Sequence, residues 1–271
     1  MSASVVNGTR TGPIVAVNPV AKLAAALLIA LPLVLTIDPV SAATALTLES
    51  VLFALSGLRW REFWLRTLPV WIAAPLTALT IALYGTASGT IHIEWLFVRV
   101  SDGSLELALA TFFRVLAIAL PGVVLFVTVD PTDLADGLAQ LVRLPARFVL
   151  GALAGMRLLA LLGDDWRALG LARRARGVAD AGRVRRTLGM AFALLVLSIR
   201  RGSKLATAME ARGFRGHIVD AGARPVPRTW ARPSRWGAPE WMLLAAGAAI
   251  STIALTVAVA AGSWNFIFGP T

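Results

Sequence analysis

The stretch LELALATFFRVLAIALPGVVLFVTVDPTDL, residues 105–134, decides the fold. Leu105–Val129 carries only two charged side chains, Glu106 and Arg114. At about 1.5 Å per residue it makes a helix long enough for the ~30 Å hydrocarbon core of a bilayer. The run stops at Asp130-Pro131-Thr132-Asp133, a strong helix start. Asp130 suits the N-cap, Pro131 the first helical position, and Asp133 the positive end of the helix dipole. Leu134, Leu138, Leu141 and Val142 then fall on one face. A membrane span thus passes directly into a short amphipathic helix lying at the interface.

The rest of the chain agrees. It has 271 residues, 57% of them hydrophobic and 15% charged, with a mean hydropathy of +0.74. A soluble domain carries about 25% charged residues. With no cysteine, disulfide, thiolate and cysteine–metal chemistry are excluded. His92 and His217 stand too far apart in sequence to suggest a metal site. The fold class is all-α, a polytopic membrane protein of about five transmembrane helices.

Four further apolar runs complete the spans: Val20–Ile37, Ser41–Ser56, Leu68–Tyr84 and Trp241–Gly262. A secretory leader is the alternative for the first, but apolar sequence follows it at once, which suits a retained span. Gly57–Thr67 is basic and amphipathic, with Trp60 and Trp64 beside Arg59, Arg61 and Arg66, as at a membrane interface. Gly85–Ser104 reads as a polar, turn-rich loop. The domains expected are a cytosolic segment 1–19, four spans within 20–129, a basic cytosolic region 130–240 and a final span at 241–262.

The net charge of +11 is concentrated in one place. Residues 130–240 hold 19 Lys/Arg and 9 Asp/Glu, against 7 and 6 elsewhere. With the N-terminus inside, the inner segments carry nearly all the basic residues and the outer ones only Arg99. This is the positive-inside asymmetry of a plasma-membrane protein, with the lipid bilayer as the neighbour of the basic layer. No recognition motif accompanies the charge, so nucleic acid is not an expected partner.

Within the basic region Leu144-Pro145 breaks the first helix and a second follows, carrying Gly151 and Gly155 at small-xxx-small spacing. Phe148–Gly163 is apolar but interrupted by Arg157, and suits either the membrane or its inner face. The helix runs on to Ala175-Arg176-Gly177. After a bend over Val178–Gly182, another helix, Thr187–Arg212, ends at Ala211-Arg212-Gly213. A guanidinium can pair bidentately with a carboxylate, and a following glycine suits a helix end. Arg183, Arg185 and Arg186 read as topology determinants facing lipid headgroups. Inside the spans, Glu49 and Arg114 fall at broadly similar depth and are expected to pair, a substrate role being the alternative.

These motifs, in this order after a membrane domain, resemble the transmembrane T component (EcfT/CbiQ-like) of energy-coupling factor transporters of the ATP-binding-cassette type. The residues carrying the resemblance are Asp130-Pro131-Thr132-Asp133-Leu134, Leu144-Pro145-Ala146-Arg147-Phe148, Met156-Arg157-Leu158, Ala175-Arg176-Gly177 and Ala208-Met209-Glu210-Ala211-Arg212-Gly213-Phe214. The resemblance implies a coupling subunit without catalytic residues or a cofactor of its own. ATP and Mg would be bound by two ABC-type ATPase partners, and vitamin or metal-ion substrate by a separate small membrane subunit. It also implies that Ala175, Arg176, Gly177, Ala211, Arg212 and Gly213 dock the ATPases. The first motif is doubled, Ala172-Arg173-Arg174-Ala175-Arg176-Gly177, which leaves Arg173 and Arg176 as alternatives. Glu210 is a further docking candidate.

Two other classes remain open at this point. Asp133-Leu134-Ala135-Asp136-Gly137 is similar to the start of the phospholipid-headgroup transferase motif, without the Ala-Arg and the later aspartates that complete it. The third reading is a permease that binds substrate itself. No Walker A sequence is present.

Overall fold

The computed structural model describes residues 14, 16–55, 60–85, 88–95, 98–177, 182–212, 230 and 232–265. Eight α-helices are present among them: α1 Pro19–Leu35, α2 Pro39–Leu55, α3 Trp60–Tyr84, α4 Asp102–Val127, α5 Pro131–Gln140, α6 Ala146–Ala175, α7 Arg183–Ala211 and α8 Ala238–Ala260. By length and composition α3, α4, α6 and α8 can each cross a membrane, while α1 and α2 are shorter apolar helices of 17 residues. The protein is an all-α polytopic membrane protein, and the chain divides into two compact units, 1–134 with 235–271, and 135–234.

The first unit is a bundle of α1, α2, α3, α4 and α8. Its central cluster joins Ile29 and Leu33 of α1, Ala45 of α2, Ala117 of α4, and Ile250 and Ala254 of α8. Alanine dominates the tightest positions: Ala21, Ala25, Ala45, Ala117, Ala254 and Ala258 are all fully buried. In a bilayer, apolar side chains gain little from meeting each other, so helices associate through close backbone contact at small residues. Gly247 shows this directly. A Cβ built on it would stand 3.3 Å from the Ala25 carbonyl oxygen. One turn further along, Ser251 Oγ donates to the Leu28 carbonyl at 2.8 Å, a hydrogen bond across the same α1–α8 seam.

Polar contacts fix which helix ends lie together. Asn18 caps α1 by accepting from the Val20 amide at 3.0 Å, and its own amide donates to Glu240 Oε1 at 3.0 Å. Glu240 Oε2 also accepts from the Gly237 amide at 2.8 Å at the start of α8. Lys22, fully buried, donates through Nζ to Thr128 Oγ1 at 2.9 Å and to the Thr128 carbonyl at 3.2 Å, just past the end of α4. The beginnings of α1 and α8 and the end of α4 therefore share one end of the bundle. At the opposite end the Ile37 amide donates to the Asn265 carbonyl at 2.8 Å. There the buried Asp38 caps α2, accepting from the Ser41 amide and hydroxyl at 2.7 Å each.

Three local readings change. The segment expected as a polar loop, 85–104, contains a two-stranded antiparallel hairpin, β1 Ile91–Trp95 and β2 Val98–Ser101. Ile91, Ile93 and Trp95 alternate with His92 and Glu94 as a strand requires. Asp102, at the start of α4, holds the hairpin by accepting from Thr90 and by contacting His92 at 2.6 Å. The part of the interfacial segment 57–67 that is described, from Trp60 on, is continuous with the third span as one 25-residue helix. Third, Gly151 and Gly155 mediate no close packing, since a Cβ on either would meet nothing within 4 Å.

At the end of the first unit's stretch 1–134, the Asp130 side chain accepts from the Thr132 amide at 2.7 Å and so caps α5 as its sequence demands. Gln140, the last residue of α5, donates to the Arg232 carbonyl and accepts from the Ser234 amide, both at 2.9 Å. Helices α6 and α7 run in opposite directions. Asp165 and Arg201 form a bidentate ion pair, with Arg201 Nη2 to Asp165 Oδ1 at 3.0 Å. Gly170 lies opposite Met190, and Arg173 opposite Gly189.

Candidate partner-docking site

Both Ala-Arg motifs stand at helix C-termini with nearly the same backbone. Arg176 is the C-cap of α6, with φ −89° and ψ 4°, and its amide donates to the Ala172 carbonyl at 3.2 Å. Arg212 is the C-cap of α7, with φ −87° and ψ 9°, and its amide donates to Ala208 at 3.2 Å. A cation there complements the negative end of the helix dipole, so the position stabilises the helix and presents the charge together. Gly177 follows in the left-handed region at φ +67°, donating to the Arg174 carbonyl at 3.1 Å. Its requirement is conformational, since its Cβ position opens into free space. Gly213 lies outside the described residues. Ala175, Arg176, Ala211 and Arg212 are exposed, as is Glu210.

Arg173 is placed differently. It is half-buried, and its guanidinium lies on α7: a Cβ on Gly189 would stand 2.8 Å from Arg173 Nη2. The absence of a side chain at Gly189 is what makes room. Arg173 is thus engaged within the chain, while Arg176, one turn beyond, is free to reach outward.

The antiparallel course of α6 and α7 separates the two arginines. Arg176 lies just past the point where Arg173 meets Gly189, and Arg212 ends α7. The stretch of α7 from Gly189 to Arg212 is about 35 Å long at 1.5 Å per residue. Between the helices near the Arg212 end runs an apolar groove of about 640 Å³, lined by Leu153, Leu158, Leu161, Leu205 and Met209 and edged by Arg157 and Arg212. On α7 itself Val184, Leu188, Phe192, Leu195 and Ile199 form an exposed stripe at helical spacing.

The intramembrane charges do not pair as expected. Both carboxylate oxygens of Glu49 and Nη2 of Arg114 are buried without a hydrogen-bond partner. Ala45 and Ala117 belong to one cluster, four residues before Glu49 on α2 and three after Arg114 on α4. The two helices also differ in length, 26 residues in α4 and 17 in α2.

Sequence reasoning missed Lys22, Glu240 and the Asp165–Arg201 pair. Glu240 had a local signal, standing three residues after Gly237 at capping-box spacing. The others had none, because each partner is remote in sequence. Among the described residues, no group of three or more His, Asp or Glu side chains is placed to hold a metal ion.

The chain matches the family model described as CbiQ, cobalt transport protein, over residues 11–221. It is also similar to proteins named energy-coupling factor transporter transmembrane protein EcfT. That of Brevibacillus brevis is 28% identical over 60% of this chain and 65% of the relative. That of Limosilactobacillus fermentum is 27% identical over 70% and 76%. That of Lactococcus lactis is 30% identical over 61% and 68%. The match includes α1 to α7 and both Ala-Arg-Gly motifs, and on this evidence the chain belongs to the EcfT/CbiQ-like family of energy-coupling factor transporter T components.

Proposed function

We propose that this T component transmits ATP-driven motion of two ABC-type ATPase subunits to a separate, small substrate-binding membrane subunit, for uptake of a vitamin or metal ion. The observation that carries the reading is the pair of exposed C-cap arginines, Arg176 and Arg212, held toward opposite ends of one antiparallel helix pair. Two equivalent charged tips some 35 Å apart suit two equivalent subunits better than one. When ATP and Mg draw the ATPases together, tips fixed to rigid helices move with them. The bidentate Asp165–Arg201 contact joins α6 to α7, so displacement of one helix is passed to the other. The exposed stripe from Val184 to Ile199 gives the substrate-binding subunit an apolar surface without directional bonds, over which it can reorient.

In this reading Ala175, Arg176 and Gly177 dock one ATPase, and Ala211, Arg212 and Gly213 the other, with Glu210 as an added contact. The N-terminus and residues 130–240 are cytosolic and the chain is a multi-pass protein of the plasma membrane. The chain itself performs no catalysis. Co-purification tests the proposal: a tagged chain should recover two ATPases and one small membrane protein. Arg176→Glu with Arg212→Glu should abolish ATPase recovery and leave the protein in the membrane. Unchanged recovery would refute the docking roles.

A further inference from the structure

We propose that the groove between the end of α6 and the start of α7 is a binding site for the phosphate headgroup of an anionic phospholipid. The groove has a volume of about 370 Å³, and Arg167, Arg173, Arg174 and Arg186 all line it, with Trp166 and Met190 among its apolar wall residues. Among the described residues no carboxylate lines it. Arg167 also pairs with Asp164 at 3.6 Å, where both side chains are highly exposed. Four guanidiniums around one concave space repel each other unless an anion joins them. A phosphodiester is well matched, because its oxygens accept the planar N–H fork of arginine. Arg173 is already in place, seated on Gly189, so little side-chain freedom is lost on binding.

The apolar lining identifies the source of the phosphate. Leu171 is 63% exposed and Trp166 37% exposed, both on this groove. A free phosphate leaves them in water, whereas the glycerol and first methylenes of a lipid cover them. Arginine beside tryptophan is also the composition of a membrane interface, where anionic headgroups are the abundant phosphate. The site does not depend on the docking roles of Arg176 and Arg212, neither of which lines it.

The test uses the full chain in neutral detergent, with retained lipid counted by native mass spectrometry. Phosphatidylglycerol should be retained at least tenfold more strongly than phosphatidylcholine of the same chain length. Arg173→Gln with Arg186→Gln should reduce that retention at least tenfold. Arg200→Gln with Lys204→Gln, the same charge change outside the groove, should leave it unchanged. Gly189→Ala supplies a variant that alters no charge: its methyl displaces only the flexible tip of Arg173, and it should also weaken retention. Equal loss in the two double variants would mean diffuse attraction and overturn the proposal. Displacement of the lipid by millimolar inorganic phosphate would also overturn it, as would phosphatidylglycerol retention unaffected by Gly189→Ala and the groove variants.

Discussion

Replacing Arg176 or Arg173 by alanine separates docking from internal packing. The end of α6 is closed by backbone bonds, Arg176 to Ala172 at 3.2 Å and Gly177 to Arg174 at 3.1 Å, which Arg176→Ala leaves in place. What disappears is a guanidinium aimed away from its own chain. Loss of one desolvated charge pair at an interface costs about 2–5 kcal/mol. At about 1.4 kcal/mol per decade that is roughly a 30- to 4,000-fold weaker ATPase affinity. Arg173→Ala removes a half-buried side chain resting on Gly189. Its cost falls on the α6–α7 contact, about 1 kcal/mol or less, and ATPase affinity should stay within about fivefold. The assay is titration of the purified ATPases onto the chain in nanodiscs, with thermal melting of each variant alongside. Arg176→Ala should lose affinity and keep its melting temperature. The reverse order, with Arg173→Ala losing more than thirtyfold and Arg176→Ala within fivefold, would refute the reasoning.

Three further outcomes are expected. Gly247→Leu should destabilise the fold in detergent by about 1–3 kcal/mol through overpacking, because its side chain must enter the seam with Ala25; a wild-type melting curve would contradict that packing. A double-mutant cycle of Asp165→Asn and Arg201→Gln should show a coupling of about 1 kcal/mol, and additive effects on melting would place the pair's contribution at zero. Because the chain has no cysteine, single cysteines report topology cleanly: Ser88→Cys should react with an impermeant maleimide in intact cells and Ser203→Cys only after lysis, and the opposite pattern would invert the proposed orientation.

Features set by neighbouring residues were legible in the sequence. Asp130-Pro131 begins α5 because an acceptor and a fixed φ act within one turn. Pro145 stands before the first residue of α6, and glycine follows Arg176 because a left-handed residue ends the helix there. The hairpin at 91–101 reads as a loop, because its two strands are short, irregularly paired and set among turn-forming residues. The Glu49–Arg114 expectation failed for a different reason. It required the relative placement of two helices remote in sequence, which no local pattern encodes.

The same distinction explains the candidate site. That two arginines close two helices is a local property, so the motifs alone gave it. That Arg173 is turned inward depends on Gly189, sixteen positions away on another helix and informative only through what it lacks. Without a Cβ there, the guanidinium can lie flat on α7; with one, Nη2 would be at 2.8 Å and must move. What distinguishes the two arginines of the doubled motif is therefore a glycine on the facing helix. It follows that Gly189→Ala should make the two arginines more alike by releasing Arg173 outward. On that background Arg173→Ala should lose its effect on melting, and Arg176→Ala should cost less ATPase affinity than in the wild type, because the freed Arg173 stands one turn behind it. If Arg176→Ala costs the same on both backgrounds, Gly189 has no part in choosing between them.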